Sequence, residues 1–189
     1  MNIGIMGGSF NPVHTGHLMV ANYLRQVAGL DEVWLSLSPA NPLKPDAHPV
    51  DDARRFEMLS MALEGSTGLR AIDTELNLPR PSYTLQLLDT LSTQYPRYKF
   101  KLIIGSDNWL IFDRWRDTGK ILDNYGVIIY PRPGYDISDP ADPRARLVKA
   151  PTVDISSTFI RDSIARGIDM NYFLPQSVYN YIKQHNLYI

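Results

Sequence analysis

Short apolar runs alternate with stretches of helical periodicity along most of this chain. Residues 2–6 form an apolar run that ends in a Gly-Gly pair, which is typical of a buried parallel strand. Residues 18–27 carry apolar side chains at helical spacing, and Gly29 is the predicted stop of that helix. Residues 32–38 are rich in β-formers and predict a second strand. The beginning of the chain therefore predicts a βαβ unit.

The same alternation continues to the end of the sequence. Further helices are predicted over residues 51–63, about 83–94, 115–124 and 156–167, and residues 177–189 are predicted to close the chain as a helix and tail. Further strands are predicted at residues 69–73, 100–104, 127–130 and 147–156. The Pro- and Asp-rich residues 131–146 predict a surface loop. This order predicts a doubly wound parallel α/β sheet with a small helical portion at the C-terminal end.

The carboxyl ends of the predicted strands are where a ligand is expected. In an open α/β sheet, ligands bind beyond these ends, where the strand order reverses. The loops that follow Met6, Ile104 and Val153 are therefore the candidate site loops. They are also the loops that contain the unusual residues of this chain.

Composition limits the classes of function. The 189 residues suit a single domain over residues 1–189, and a hydrophobic content of 44% is ordinary for a globular protein. The formal net charge of −1 argues against non-specific binding to nucleic acid or to an anionic membrane, but it permits an anionic small ligand at a local positive site. The absence of cysteine excludes disulfides, thiolate zinc sites and cysteine nucleophiles. Because the chain has no signal-peptide pattern and no apolar run of membrane-spanning length, we expect a soluble cytoplasmic protein.

The stretch GGSFNPVHTGH, residues 7–17, concentrates unusual chemistry after the first strand. Gly7 and Gly8 remove side chains where the backbone is expected to turn and where a ligand can approach closely. If the helix begins near Thr15, both His14 and His17 lie at its positive end, where imidazoles and main-chain N–H groups can meet a phosphate. A plain tight turn would also explain the glycines, and the two histidines could bind a metal, although no third ligand stands nearby. The combination favours phosphate binding.

As a block, GGSFNPVHTGH resembles the (H/T)xGH signature of the nucleotidyltransferase superfamily. The resemblance implies a Rossmann-like adenylyltransferase fold. Asn11 stands where the family more often has aspartate. The resemblance also implies that ATP is bound by Gly7, Gly8, Ser9, Phe10, His14 and His17.

The stretch DISSTFIRDSIARG, near the other end of the chain, also combines a predicted helix start with side chains that can bind a phosphate. Ser156 or Ser157 is a natural N-cap, and the hydroxyls and free amides of a helix start can hold a phosphate that Arg161 also reaches. The alternative is a capped surface helix with one solvated arginine. ISSTFIR is similar to the SSTxIR signature of the same superfamily, in which these residue types bind the ATP phosphates. The similarity implies contacts from Ser157, Thr158 and Arg161, and more loosely from Ser156.

Three stretches in the middle of the chain resemble the bacterial nicotinate-nucleotide adenylyltransferase family, namely PRPSYTLQLLDTL, IIGSDNWLIFDRWRDTGKIL and YPRPG. The resemblance covers nearly the whole chain and implies that the nicotinate ring is held by Ser82, Tyr83, Thr84 and Trp115. A flat pyridinium cation stacks well on an indole face, and its carboxylate would meet donors near Thr84 and Arg116. Without the family, Trp115 could be a core-edge side chain, and Tyr83 and Thr84 could form only a cap and its packing.

The resemblance also implies contacts with ribose and phosphate groups. Asp107 is similar to the family acid that contacts a ribose, and Gly105 and Ser106 would border the adenosine. Lys44 matches a family lysine that approaches phosphate, although Leu43 stands where the family usually has histidine. Taken alone, Asp107 could be an N-cap and Lys44 a solvated cation. The implied contacts with nicotinate mononucleotide come from Ser9, Lys44, Ser82, Tyr83, Thr84, Asp107, Trp115 and Arg116.

The activity implied by the resemblance is transfer of AMP from ATP to nicotinate mononucleotide, giving nicotinate adenine dinucleotide and pyrophosphate in NAD biosynthesis. The attacking phosphate is already an anion, so direct in-line attack needs neither a covalent enzyme intermediate nor a strong base. We expect His14 and His17 at the ATP phosphates, with His17 at the α-phosphate. Lys44 and Arg161 would stabilise the leaving pyrophosphate. Magnesium would arrive with ATP rather than on metal-binding residues of the chain.

Other functions stay open at this level. Another adenylyl- or cytidylyltransferase of the same fold could use a different acceptor, including nicotinamide mononucleotide. A nucleotide-binding module without turnover is a second alternative. A dinucleotide-dependent oxidoreductase would need GxGxxG after the first strand, which GGSFNP does not supply. The sequence leaves the oligomeric state open, and a homo-oligomer is one possibility.

Overall fold

Six parallel strands form a sheet at the centre of the structure. The computed structural model describes residues 1–39 and 50–189, and within them the strands are β1 (Asn2–Gly8), β2 (Glu32–Leu37), β3 (Leu69–Ile72), β4 (Lys99–Gly105), β5 (Val127–Tyr130) and β6 (Ala145–Leu147). Their order in the sheet is β3-β2-β1-β4-β5-β6, and each neighbouring pair is parallel. This is a doubly wound order, in which the winding reverses between β1 and β4. The predicted fold class is confirmed.

The helices of the described residues connect and cover these strands. They are α1 (Thr15–Val27), α2 (Asp52–Ala62), α3 (Thr84–Gln94), α4 (Ser106–Trp109), α5 (Thr118–Asn124), α6 (Ser157–Ala165) and α7 (Gln176–Gln184). A search of the described residues finds no helix that is long and apolar enough to cross a membrane.

Each face of the sheet carries its own hydrophobic core, because successive side chains of a strand point to opposite faces. Ile3 and Ile5 of β1 belong to the core that α3 and α5 cover, whereas Met6 belongs to the core that α1, α2, α6 and α7 cover. In β4, Leu102 and Ile103 divide in the same way. The central strands are buried on both faces, which is why their sequences are continuous apolar runs.

Several predicted helix boundaries are confirmed by their caps. Asp51 caps α2 and Ser156 caps α6, each by accepting a hydrogen bond from the backbone N–H three residues later, at 2.8 and 3.1 Å. Gly29 follows the end of α1 with a φ of +74°, a conformation that glycine adopts at little cost. The helix predicted at residues 115–124 begins only at Thr118, because Trp115 has an extended backbone and Asp117 has a φ of +58°, and neither conformation belongs to an α-helix.

Two predictions about the strands are wrong. Gly7 and Gly8 do not form a turn, because both lie in β1 and pair in register with β2. The strand predicted at residues 147–156 is instead β6, and residues 148–156 have no regular secondary structure. A three-residue edge strand in a Pro- and Asp-rich segment leaves almost no periodicity to detect. Pro151 also lacks the N–H that a strand ladder requires.

The small C-terminal helical portion packs against α2. The Ser177 hydroxyl donates to the carbonyl oxygen of Met61 at 3.2 Å, and the Tyr181 hydroxyl donates to Glu57 Oε2 at 2.6 Å. Leu187, beyond α7, is buried in the same core as α1 and α2. The end of the chain therefore lies on the sheet face that also carries the helix after β1.

Candidate functional site

Two adjoining cavities open at the carboxyl edge of the sheet, near the reversal point between β1 and β4. One has a volume of about 400 Å³ and is lined by the ends of β1 and β4 together with Thr84 and Trp115. The other has a volume of about 220 Å³ and is lined by residues of segments 131–135 and 151–156. Both are lined by Met6, His14, His17, Tyr130, Arg132 and Ser156. A ligand that spans both cavities therefore passes the two histidines.

The loop between β1 and α1 is held by side chains from α2 and α6. The carbonyl oxygen of Ser9 accepts a hydrogen bond from Arg55. The carbonyl oxygen of Asn11 accepts from Arg161 at 2.8 Å, and that of Pro12 accepts from the Ser157 hydroxyl at 2.9 Å. The C=O and N–H of a trans peptide unit point in opposite directions. The N–H group of Phe10 therefore points away from Arg55, and the N–H group of Val13 points away from Ser157. The loop is thereby fixed before any ligand binds.

Arg55 is a positioning residue that the sequence analysis missed. Its side chain is fully buried on α2, and its guanidinium donates to the carbonyl oxygens of Ser9 and Ser38, the latter at 3.2 Å. It also pairs with Asp52 at 2.6 Å. One arginine thus ties the loop after β1 to the loop after β2. An arginine inside an amphipathic helix gives no sequence signal for such a role.

Phe10 and the two glycines before it shape the start of the loop. Phe10 is buried and has a φ of +42°, and its ring meets the His17 ring edge-on with centroids 5.0 Å apart. A Cβ on Gly8 would lie 3.0 Å from the Phe10 ring, so a side chain there would displace it. Among the described residues, a Cβ on Gly7 would meet only the Ser38 hydroxyl, at 3.8 Å, which is an ordinary contact. Gly8 therefore serves the packing of the loop itself.

His14 and His17 form a stacked pair at the start of α1. Their ring centroids lie 3.6 Å apart with 27° between the planes, and His14 occupies the N-cap position. The backbone N–H of His14 donates to Nδ1 of His17 at 3.3 Å. Since Nδ1 accepts this bond, the neutral His17 ring carries its hydrogen on Nε2. The prediction that both histidines lie at the helix N-terminus is confirmed.

Both histidines are neutral near pH 7. Burial, followed by the nearby Arg132 guanidinium, lowers the pKa of His14 to about 4. Burial, His14 and Arg132, in that order, hold the pKa of His17 well below its usual value. The pair therefore acts in the free protein through neutral N–H donors, and the local positive charge is that of Arg132.

Arg132 is a second residue that the sequence analysis missed as a site residue, although it lies in the YPRPG stretch. Its backbone N–H donates to the Ser106 hydroxyl at 2.9 Å, and its guanidinium lies 3.7 Å from Asp107 Oδ2. Gly105 makes room for this arrangement, because a Cβ there would lie 2.4 Å from Asp107 Oδ1 and 2.5 Å from Arg132 Cδ. The signal was its position directly after β5, at the same edge of the sheet as the histidines.

The larger cavity contains part of the predicted acceptor site. Thr84, Trp115 and Ser9 line it together with Glu75, which the sequence analysis did not single out. The Ser82 hydroxyl donates to Glu75 Oε1 at 3.0 Å, so Ser82 lies directly behind that wall. Burial raises the pKa of Glu75, while hydrogen bonds from Ser38 and Ser82 act in the opposite direction.

Other predicted residues lie away from the cavity walls. The Arg116 guanidinium sits over the Tyr83 ring at 4.7 Å, and neither is among the described residues that line the two cavities. Asp107 also lies behind the wall, with a buried Oδ1 that has no hydrogen-bond partner among the described residues. Lys44 and Leu43 lie outside the described residues, so their predicted roles stay predictions.

The second signature motif supports the first loop from behind. Ser156 lines both cavities and caps α6, as predicted. Ser157 lines the larger cavity, but its hydroxyl donates to the carbonyl oxygen of Pro12. Arg161 donates to the carbonyl oxygen of Asn11 and to the Thr158 hydroxyl at 3.3 Å. Ser157 and Arg161 therefore hold the histidine loop, and Thr158 and Arg161 are not among the described residues that line the two cavities, so the predicted phosphate contacts of this motif stay predictions.

The site has the donor chemistry of an anion-binding site rather than of a metal cage. Within residues 1–39 and 50–189, no group of three or more His, Cys, Asp or Glu side chains could hold a metal ion.

Comparison with known proteins identifies the family. A family model described as cytidylyltransferase-like matches residues 5–163. A protein of Bacteroides fragilis named "Probable nicotinate-nucleotide adenylyltransferase" is 46% identical over 182 residues, which cover 96% of this chain and 90% of the relative. A protein of the same name from Flavobacterium johnsoniae is 40% identical and covers 100% of this chain and 99% of its own length.

A solved structure agrees with the fold. The nicotinic acid mononucleotide adenylyltransferase of Plasmodium falciparum, in complex with NaAD, superposes with a TM-score of 0.80 at 24% identity and covers 99% of this chain and 97% of its own. The match over residues 5–163 and the long alignments at 40–46% identity show that the chain belongs to the nicotinate-nucleotide adenylyltransferase family, within the cytidylyltransferase-like proteins.

Proposed function

We propose that this protein transfers AMP from ATP to nicotinate mononucleotide, giving nicotinate adenine dinucleotide and pyrophosphate, in NAD biosynthesis. The observation that carries the proposal is the junction of the two cavities at His14 and His17. A dinucleotide product has two nucleoside halves joined by a pyrophosphate bridge. Two adjoining cavities with neutral N–H donors at their junction suit such a molecule.

The reaction needs positioning more than it needs acid–base chemistry. A phosphate oxygen of nicotinate mononucleotide attacks the α-phosphorus of ATP, the bond between the α-phosphorus and the bridging oxygen breaks, and pyrophosphate leaves with that electron pair. The nucleophile is already an anion, so no residue has to remove a proton. Catalysis then depends on the in-line placement of two anions and on donors aimed at the α-phosphate.

We assign the α-phosphate to His17. Its Nδ1 accepts from the backbone of His14, which directs an Nε2–H donor outward as a neutral dipole. His14 stacks on it and extends the same donor surface. The N–H groups at the start of α1 and the helix dipole act on the same anion.

We assign the countercharge to Arg132, Arg161 and Lys44. Arg132 lines both cavities and lies next to both histidines, where it would balance charge on the triphosphate. Arg161 uses two of its nitrogens to hold the loop and Thr158 and is not among the described residues that line the two cavities, so its other N–H groups would reach the leaving pyrophosphate after a change of rotamer. Lys44 keeps its predicted role at the phosphates.

Magnesium enters as part of the ATP substrate. The donor set fits this view, because phosphate oxygens and water suit Mg²⁺ and the described residues form no carboxylate cage. When bound, the ion neutralises charge on the triphosphate.

The acceptor half occupies the larger cavity in this proposal. The Trp115 indole would stack on the pyridinium ring, and the N–H groups at the start of α3, near Thr84, would meet the carboxylate. Ser82 would act through Glu75, to which its hydroxyl donates. Asp107 lies behind Gly105 with its Oδ1 buried, so it would reach a ribose hydroxyl only by a change of rotamer. Tyr83 and Arg116 would join this set by a change of rotamer.

We further propose that residues 1–189 act as one nucleotidyltransferase domain in the cytoplasm, where ATP and pyridine nucleotides are available. Its partners are these two substrates, without nucleic acid or membrane, and a homo-oligomer is compatible with the proposal.

A pyrophosphate-release assay with ATP and Mg²⁺ tests this function. We expect rapid release with nicotinate mononucleotide and at least tenfold slower release with nicotinamide mononucleotide, because only the acid offers a carboxylate to the start of α3. Equal use of both acceptors would overturn the acceptor assignment. No release with either acceptor would overturn the reaction.

A further inference from the structure

The Asn11 side chain links the end of the chain to the histidine loop. Asn11 is fully buried in the loop after β1. Its Oδ1 accepts a hydrogen bond of 2.6 Å from the hydroxyl of Tyr188, which is 177 residues away in the sequence. The carbonyl oxygen of the same residue accepts from Arg161. Asn11 is therefore the point where the C-terminal segment and α6 both meet the loop.

The chain after α7 is folded specifically to reach this point. Asn186 and Tyr188 both have positive φ values, +50° and +66°. Between them, Leu187 is buried, and its N–H donates to the carbonyl oxygen of Ile182 at 3.0 Å. A bulky residue keeps such a conformation only where its surroundings hold it in place, and such residues concentrate at functional sites. The strained turn brings the Tyr188 ring back against the core, with its hydroxyl on Asn11.

The Tyr188 hydroxyl is a donor over the whole working pH range. Burial raises the pKa of Tyr188, although the nearby guanidinium groups of Arg161 and Arg55 lower it to a smaller extent. The phenol therefore stays protonated and donates to the Oδ1 of Asn11. An aspartate at this position would also provide an Oδ1 acceptor.

We propose that Tyr188 is a positioning residue for the adenylyl transfer, which holds His14 and His17 in their stacked arrangement by anchoring Asn11. Asn11 precedes His14 by three residues, so the position of its side chain sets where the loop enters α1. The entry angle decides whether the His14 N–H reaches Nδ1 of His17. Tyr188 touches no substrate in this role, which rests on the proposed function.

The test compares Tyr188→Phe with Tyr181→Phe. Each variant removes one hydroxyl that donates at 2.6 Å, but the Tyr181 hydroxyl bonds to Glu57 on α2 and not to the loop. We expect Tyr188→Phe to lower kcat about tenfold with little change in KM, because donors that are displaced slightly lose transition-state stabilisation. Tyr181→Phe should keep kcat within twofold. Asn11→Asp, which keeps the acceptor, should also stay within threefold.

A second readout does not depend on activity. The imidazole ¹⁵N chemical shifts of His14 and His17 report the tautomer and the Nδ1 hydrogen bond. We expect these shifts to change in Tyr188→Phe and to match wild type in Tyr181→Phe and Asn11→Asp. If Tyr188→Phe does not fold, Asn11→Leu removes the acceptor instead and should give the same two changes.

Wild-type kcat together with wild-type imidazole shifts in a folded Tyr188→Phe protein would overturn the proposal. Equal losses of kcat in Tyr188→Phe and Tyr181→Phe would do the same, since a general loss of stability would then explain both. If the wild-type protein releases no pyrophosphate, the proposed function fails, and the imidazole shifts alone decide whether Tyr188 positions the histidines.

Discussion

The backbone N–H of His14 donates to Nδ1 of His17 at 3.3 Å, while the two imidazole rings stack 3.6 Å apart. The N-cap residue of α1 thus fixes both the orientation and the tautomer of the third residue of the helix. A Cβ on Gly16 would lie 3.1 Å from Nδ1 of His14, so the glycine between the histidines leaves the space in which they stack. The spacing H-x-G-H therefore has a geometric reason in this fold.

Replacing His17 by alanine should lower turnover without unfolding the protein. His17→Ala removes the Nε2–H donor aimed at the α-phosphate, and the loss of one donor that acts mainly in the transition state costs about 10²–10³ in kcat. Pyrophosphate release measures the loss, and near-UV circular dichroism checks the fold. His185→Ala, at the exposed end of α7, is the control and should match wild type within twofold. A His17→Ala enzyme within tenfold of wild type would exclude the assigned role.

The stability of the protein should fall as the pH is lowered below about 6.5. The folded state holds the pKa of His14 at about 4, whereas the unfolded chain has a value near 6.5. The unfolded state therefore binds more protons between these two values, and the stability present above pH 6.5 is lost as the pH approaches 4. The contribution of His14 is on the order of 3 kcal/mol.

Urea denaturation of wild type and His14→Gln between pH 7 and pH 4.5 measures this contribution. The variant should lose less stability over that interval than wild type does, because glutamine does not titrate. Identical slopes for the two proteins would show that His14 is not held neutral by the fold.

Replacing Gly105 by alanine should weaken ATP binding. The new Cβ would lie within 2.5 Å of Arg132 Cδ and Asp107 Oδ1, so both side chains must move. Since Arg132 lines both cavities, we expect KM for ATP to rise about tenfold. Gly119→Ala is the matched control, because no atom of the described residues outside its own helix lies within 4 Å of a Cβ at that position of α5. It should leave KM unchanged and stabilise the helix by about 0.5 kcal/mol. An unchanged KM in Gly105→Ala would show that Arg132 can move without consequence.

Much of the fold could be predicted because the central strands are buried on both faces. The first strand and the strand at residues 127–130 stood out as uninterrupted apolar runs. The edge strand β6 did not, since three residues are too few for periodicity and its neighbours are prolines and aspartates. Gly7 and Gly8 suggested a turn, whereas pairing with β2 keeps both in the strand.

The residues of the candidate site also differ in whether a local sequence pattern or only a tertiary contact reveals their role. His14, His17 and Ser156 could be found because helix starts have a local pattern of caps and donors. Tyr188 could not, because its role comes from a contact between distant parts of the chain. Arg132 had a signal in its position after β5, which places it at the same edge of the sheet as the histidines, but its contacts with Ser106 and Asp107 are tertiary. No local pattern distinguishes a tyrosine that anchors a loop from one that covers a core.

Arg55 provides the last prediction, which concerns the scaffold beneath the site. Arg55→Met leaves the carbonyl oxygens of Ser9 and Ser38 without their buried donor, and we expect it to destabilise the protein by about 3 kcal/mol or more. Lysine should not rescue the loss, because one ammonium group cannot reproduce the planar fork that bridges two carbonyls. Denaturant midpoints measure both changes.

The neighbouring Arg54→Met is the matched control. The Arg54 side chain is 49% exposed and pairs with Asp51 at 3.7 Å, so its loss should change stability by no more than about 0.5 kcal/mol. Measurements of kcat on the same variants separate the effect of Arg55 on the stability of the protein from its effect on the position of the loop after β1. If Arg55 fixes the loop as well as stabilising the fold, Arg55→Lys should lower kcat even at temperatures where the variant is fully folded. Equal effects of Arg54→Met and Arg55→Met on stability would show that the buried guanidinium does not hold the two loops together.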